Sequence, residues 1–473
     1  MKWLRLLCFF GSFALMLTIC AHLSIAQSKK QKAKKAPQVE VPVSWATQSD
    51  GVTVETAQLT GWWKTFNDPQ LERLVELALI SNTDLKIADA RVREVRAMRG
   101  VANSARYPNV EQSTVIARHR TVLQTPNALI PVESGLYQIG FDASWELDFF
   151  GGVRNSVKAA TAEVQAAEET RRDVMVTLIS EVARNYIALR GYQRQLEVTL
   201  NNIDTQRDTR DLTKVRARAG LATDLDVSRA EAQLASTESV VPELEGLLLN
   251  TSHRLGVLLG RSPGALVGDL QKNEPIPAAP AGVPIGLPAE LLRRRPDVRR
   301  AEADIIAETA RLGVARSDLY PKFELNGLLG RTATSPGGLT LGVGNFFFGG
   351  VGIRFPIFNG GRIRSNIRAQ DARLDQAILV YEDTLRHSFE DVENSLTSYQ
   401  REREQRAKLE QAAASNRRAV ELAKELYTAG LSDFLSVLEA EKSLYASEDE
   451  LARSQAAVSI NLVALYKALG GGW

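Results

Sequence analysis

The sequence predicts a mixed α/β membrane protein built from two internal repeats, each joining a β-hairpin to very long, coiled α-helices. Three observations predict it. Short motifs recur at a spacing of roughly 210 residues, the mark of a duplicated unit. Two stretches of about 65 residues keep a helical apolar period without a proline. Two stretches of about ten residues alternate apolar and polar side chains, as a strand with two different faces must.

The 473 residues are 44% apolar and 24% charged, which fits a well-packed chain and excludes a disordered one. Residues 1–26 read as an export signal. Lys2 and Arg5 open it, an apolar stretch runs from Leu6 to Ile25, and Ser24-Ile25-Ala26 is a small-x-small cleavage pattern. An uncleaved anchor is the competing reading, because Lys29, Lys30, Lys32, Lys34 and Lys35 follow and would hold that end in the cytoplasm. Cys20 stands at lipobox spacing after Leu17 and is a candidate for lipidation, although Ile19 is bulky where a small residue should precede it.

Cleavage after Ala26 removes Lys2 and Arg5 and no acid, so the formal charge of +2 becomes 0. A neutral chain lacks the electrostatic footprint of a nucleic-acid binder. Both cysteines, Cys8 and Cys20, leave with the signal, and with them any disulfide or thiolate metal site. Beyond residue 26 no apolar run approaches the roughly 20 residues of a membrane helix. A membrane-spanning part must therefore be a closed β-barrel, which satisfies every backbone polar group.

The repeat is read from paired motifs. Tyr107-Pro108 returns as Tyr320-Pro321, Phe150-Gly151-Gly152 as Asn359-Gly360-Gly361, and Ala219-Gly220-Leu221 as Ala429-Gly430-Leu431. Asn82-Thr83-Asp84-Leu85 corresponds to Arg295-Pro296-Asp297-Val298. Each half reads helix, hairpin, very long helix, turn, long helix. The halves span 67–264 and 288–470, joined by a Pro- and Ala-rich linker over 265–287.

From Arg362 to Thr428 there is neither Pro nor Gly, and apolar residues from Ile363 to Tyr399 are spaced by threes and fours with a single seven. Gly430 ends this helix as a C′ glycine. Val153 to Ala219 matches it, ending at Gly220. At 1.5 Å per residue each helix reaches about 100 Å, a rod that no compact domain requires.

The hairpins are expected near 109–148 and 321–358. Tyr137, Ile139, Phe141, Ala143, Trp145 and Leu147 alternate with polar or small residues, and so do Val351, Ile353, Phe355 and Ile357. Such strands suit a lipid-facing barrel wall, or a sheet packed on a soluble core. Four strands cannot close a barrel, since single-chain barrels begin at about eight. Three copies would supply about twelve strands, with the helix pairs forming a second, all-helical cylinder.

No catalytic signature appears: the histidines are scattered, and no metalloprotease, phosphate-loop, nucleophile-elbow or dinucleotide motif is present. An enzyme is not expected, nor is a cofactor. Met98 and Met175, the methionines left after cleavage, are too few for a Met-rich metal site.

Trp62-Trp63-Lys64-Thr65-Phe66-Asn67-Asp68-Pro69 and Pro288-Ala289-Glu290-Leu291-Leu292-Arg293-Arg294-Arg295-Pro296-Asp297-Val298 carry a resemblance, joined by Phe355-Pro356-Ile357-Phe358-Asn359-Gly360-Gly361. Over residues 40–470 the chain resembles the TolC-like outer-membrane factor family, in its branch of RND-type efflux proteins (NodT/OprM-like). The resemblance implies a homotrimer with a shared 12-strand β-barrel in outer-membrane lipid, an all-helical periplasmic tunnel, and an equatorial collar drawn from residues 39–66, the linker and the C-terminal tail. It implies a periplasmic adaptor (membrane fusion protein) and an inner-membrane RND-type pump as partners, and passive export of drugs, toxic compounds or metal ions. It also implies a periplasmic gate at the turns 220–226 and 430–439, with Leu435 and Glu439 facing the aperture and Asp433, Asp224 and Asp226 nearby. A three-fold carboxylate ring in a narrow neck would attract cations. Asp224 and Asp433 are equally placed to cap the returning helices. Two other functions remain open: a conduit for type I protein secretion, and a periplasmic coiled-coil adaptor or structural rod.

Overall fold

The computed structural model describes residues 41–42, 44–46, 52–53, 59–126, 128–280, 282–284, 286–339 and 344–473. The expected signal, 1–26, and Cys20 lie outside them. After the short strand β1 (Val52–Thr53) and a 3-10 turn at Trp62–Phe66, the first repeat opens with α1 (Pro69–Ser81). Asp68 caps α1 by accepting the N–H groups of Gln70 and Leu71, with Pro69 in the first turn where it sacrifices no hydrogen bond. Leu71, Leu74, Val75 and Ala78 form its buried stripe. Asn82 then caps α2 (Thr83–Ser104), accepting from the Leu85 N–H.

The hairpin β2 (Asn109–Thr125) and β3 (Ala128–Leu147) follows. Gly151, at φ 80°, turns the chain into α3 (Gly152–Arg218), a helix of 67 residues. The first half then returns in two pieces, α4 (Asp224–Glu238) and α5 (Val240–Leu258), rather than in the one long helix expected. The cause is Pro242: it has no N–H to offer the Glu238 carbonyl, so the helix breaks at Ser239.

The linker carries β4 (Val283–Pro284), which pairs in parallel with β1. The second repeat runs through α6 (Pro288–Arg294), α7 (Pro296–Ser317), the strands β5 (Lys322–Ala333) and β6 (Asn345–Arg354), and α8 (Arg362–Thr428), again 67 residues long. It closes with α9 (Phe434–Ala468), unbroken because no proline interrupts it. The second hairpin stops at Arg354 rather than near 358. Pro356 cannot donate to a ladder, so Phe355 and Ile357 fall outside the strand.

The four long strands form one antiparallel sheet in the order β2-β3-β5-β6. The junction β3-β5, Tyr137↔Ala333 to Leu147↔Phe323, joins the two repeats. Below the sheet, α3 packs on α7, α2, α5 and α9, and α8 packs on α9 and α7. No helix among the described residues is long and apolar enough to cross a membrane.

The largest apolar core lies midway along α3. Trp62 stacks on Tyr466 of α9, with ring centroids 5.1 Å apart, among Ile179, Val182 and Tyr186 of α3 and Leu396 and Tyr399 of α8. The irregular segments converge there. The Trp45 indole donates to the Gly286 carbonyl at 2.9 Å, Ser459 to that of Pro277 at 2.7 Å, and the buried Arg190 to that of Lys272 at 2.7 Å. Trp473 is clasped at the same level. Its indole N–H donates to the Arg294 carbonyl at 3.0 Å, and the guanidiniums of Arg172 and Arg299 lie 4.4 and 4.9 Å from its ring. The buried Glu169 holds both guanidiniums, at 2.5 and 2.8 Å, while burial pushes its own carboxyl above the ordinary value.

Candidate conduit and helical gate

Two turns define the end of the helical part that lies away from the sheet. Gly220 and Gly430, both at φ 74°, end α3 and α8, and each is followed by an exposed leucine, Leu221 (66%) and Leu431 (76%). The turns sit side by side. Arg216 donates to the Thr428 carbonyl at 3.3 Å, and its guanidinium lies 4.5 Å from the Tyr427 ring centre. Tyr427, Phe434, Val437 and Ala230 form a small apolar cluster that ties α8 and α9 to α4.

The carboxylates flagged in the sequence divide by role within these turns. Asp433 is the N-cap of α9: it accepts from the Ser436 N–H at 3.0 Å and the Ser436 hydroxyl at 2.7 Å. Those bonds hold its carboxyl below the usual aspartate range. At α4 the cap is Thr223, not Asp224. Asp226 completes a capping box by accepting from the Thr223 N–H and hydroxyl at 3.0 and 2.8 Å. Asp224 stands exposed in the first turn. Leu435 and Glu439, one turn apart on α9, are exposed on a face turned away from the packed Phe434 and Val437. Glu439 has no hydrogen bond or ion pair among the described residues.

Sequence reasoning missed the polar pins above this turn. Glu441, almost wholly buried, accepts from Thr209 of α3 at 2.6 Å and from Lys424 of α8 at 2.8 Å. It falls on the apolar stripe of α9 one turn after Val437, where periodicity alone predicts a hydrophobic residue. The only available signal is that break in the pattern.

At the other end the register sorts the sheet into two faces, because directly paired residues point the same way. One face is apolar, in the rows Phe141–Leu329–Phe347, Trp145–Leu325–Val351 and Leu147–Phe323–Ile353. Water reaches it in the single chain: Phe347 is 87% exposed. The opposite face carries Ser144–Asn326–Gly350 and Glu146–Glu324–Gly352, with Glu324 paired to Arg354 at 3.4 Å. The outer edges of β2 and β6 have no strand partner among the described residues. No group of three metal-ligating side chains occurs among those residues either.

Comparison with known proteins agrees with this geometry. The sequence profile of the family described as outer membrane efflux protein matches residues 74–261 and 287–471. The chain is 30% identical to the solvent efflux pump outer membrane protein SrpC of Pseudomonas putida, over 92% of this chain and 94% of that one. It is 28% identical to the cation efflux system protein CusC of Escherichia coli, over 97% and 98%. The solved structure of the outer-membrane channel OprN superposes with a TM-score of 0.84 at 34% identity, over 93% of this chain and all of that one. The adaptor-rod alternative falls with these matches. The chain belongs to the outer membrane efflux protein family and is an efflux channel of the Gram-negative outer membrane, with a large helical portion in the periplasm.

Proposed function

We propose that three copies of this chain share one twelve-strand barrel and one helical tunnel, forming the passive exit duct of a tripartite pump for small molecules. The observation that carries this reading is the four-stranded sheet with an apolar face, a polar face and two edges unpaired among the described residues. Such a sheet cannot span lipid alone, because its edges would leave backbone groups unsatisfied. Three of them reach the strand number a barrel needs, with the apolar rows toward lipid and the polar rows around water. The segments converging midway on α3 would form the equatorial collar. A periplasmic adaptor and an inner-membrane RND-type pump would supply the opening and the energy. Cargo would be drugs, toxic compounds or metal ions, chosen mainly by the pump.

In this assembly Leu435 and Glu439 form the gate ring, with Asp433, Asp224 and Asp226 setting the local field and holding the helix starts. The exposed position of Leu435 and Glu439 on α9, with Glu439 unpaired among the described residues, supports the gate role. Single-channel conductance of the purified protein in planar bilayers tests it. Wild type should give a small, cation-preferring conductance that rises about twofold or more in Glu439→Ala or Leu435→Ala. Unchanged conductance in both variants would move the gate elsewhere, and a detergent-free soluble monomer would end the trimeric-duct reading.

A further inference from the structure

The polar face of the sheet carries two aromatic rings that lipid burial does not explain. Phe346 and Phe348 alternate with Phe347, so they point opposite to it, away from the apolar rows. Each ring has a floor made by glycine. A Cβ on Gly330 would lie 2.6 Å from the end of the Phe346 ring, and Gly140 lies under the same ring. A Cβ on Gly350 would lie 3.0 Å from the end of the Phe348 ring. Glycine costs stability inside a strand, so these positions keep the wall low where the rings lie. Phe348 is nevertheless 61% exposed. One register row then runs Glu111–Asp142–Leu328–Phe348, which sets two carboxylates, an aliphatic side chain and an exposed ring side by side on one face. Asp142 accepts from the Ser113 hydroxyl at 2.9 Å, which orients it within that face.

We infer that Phe346, Phe348 and Leu328, with Asp142 and Glu111, form a weak seat for organic cations on the inner wall of the barrel. This rests on the barrel reading above, in which the polar face surrounds water. An aromatic ring attracts a cation through its face, a carboxylate adds charge complementarity, and Leu328 accepts the apolar body of the molecule. A neutral or anionic solute of the same shape gains only the apolar part. Three copies repeat the seat around the duct, so a lipophilic cation moves between equivalent weak sites instead of being trapped at one. Such repetition lets an export path concentrate its cargo without stopping it.

The test adds tetraphenylphosphonium, or the anion tetraphenylborate of matching shape, to the barrel side of single channels in planar bilayers. Transient blockades by the cation in wild type, at least about threefold longer than those by the anion, are expected. They should shorten about threefold in Phe348→Ala and in Phe348→Leu, which keeps apolar bulk but loses the ring, and also in Asp142→Asn. Channels that conduct normally but are blocked equally by both ions, or equally in wild type and Phe348→Leu, overturn the seat and leave the barrel reading standing. Protein that inserts but never conducts, in wild type and in the gate variants Leu435→Ala and Glu439→Ala alike, overturns the barrel reading, and the seat with it.

Discussion

Asp433 binds the Ser436 N–H and hydroxyl at once, so the first turn of α9 has its orphan donor satisfied by a charged acceptor beside the positive end of the helix dipole. The lowered pKa fixes the sign of the pH effect. A carboxyl held below its unfolded value contributes fully above the ordinary aspartate pKa of about 3.9, and that contribution is lost as pH falls through the lower folded value. Asp433→Ala should therefore speed amide exchange at Ser436 roughly fivefold at neutral pH. The difference between variant and wild type should close on acidification well below pH 4, because wild type loses the same bonds. A difference that persists at the most acid pH would remove the cap from the account. At this scale the sequence was half legible. A carboxylate three or four residues past a turn glycine reads as a cap or a gate group, but not as which. Thr223 takes the cap at α4 and leaves Asp224 exposed, because the turn geometry chooses between adjacent candidates and composition does not.

Helix identity was more legible than helix continuity. Arg362 to Thr428 could be bounded from the sequence because glycines at both ends and an unbroken apolar period left no alternative. The break at Ser239 was missed because one proline in a first turn is tolerated, and only the lost bond to Glu238 makes it a boundary. The contact between α3 and α9 was not legible at all, since it depends on which residues meet across the helices. Gly191 faces Ala456 so closely that an added Cβ would stand 2.7 Å from the alanine Cβ. Gly191→Val should therefore force the helices apart and destabilise the protein by about 1–3 kcal/mol. Gly246→Ala, in α5 with nothing within 4 Å of the new Cβ, should stabilise by up to about 1 kcal/mol. Thermal unfolding of both variants in detergent checks the pair. No destabilisation by Gly191→Val would mean that Ala456 does not set the spacing, and destabilisation by Gly246→Ala would mean that a neighbouring copy packs against α5.

At the scale of the whole molecule, the two hairpins matter less as strands than as halves of one two-faced wall. The sequence supplied the alternation, but the faces could be matched only once the register joined β3 to β5 and so linked the two repeats. The register within the second hairpin then makes a prediction of its own. Phe347 and Asn326 both lie in the hairpin β5-β6 but on opposite faces, because Asn326 pairs with Gly350, three residues along from Phe347. In the proposed trimeric barrel a charge at Phe347 would enter hydrocarbon, where an arginine costs about 2–4 kcal/mol near the midplane, repeated in each copy. A charge at Asn326 would enter water. Phe347→Arg should reduce the trimer recovered from outer membranes severalfold, while Asn326→Arg should assemble normally. Asn326→Arg should instead lower the cation preference of the conductance, because it adds a ring of positive charge to the wall. Comparable loss of trimer in both variants would show that the sheet has no dry face. Normal assembly of Phe347→Arg with altered ion preference would show that the faces had been assigned the wrong way round.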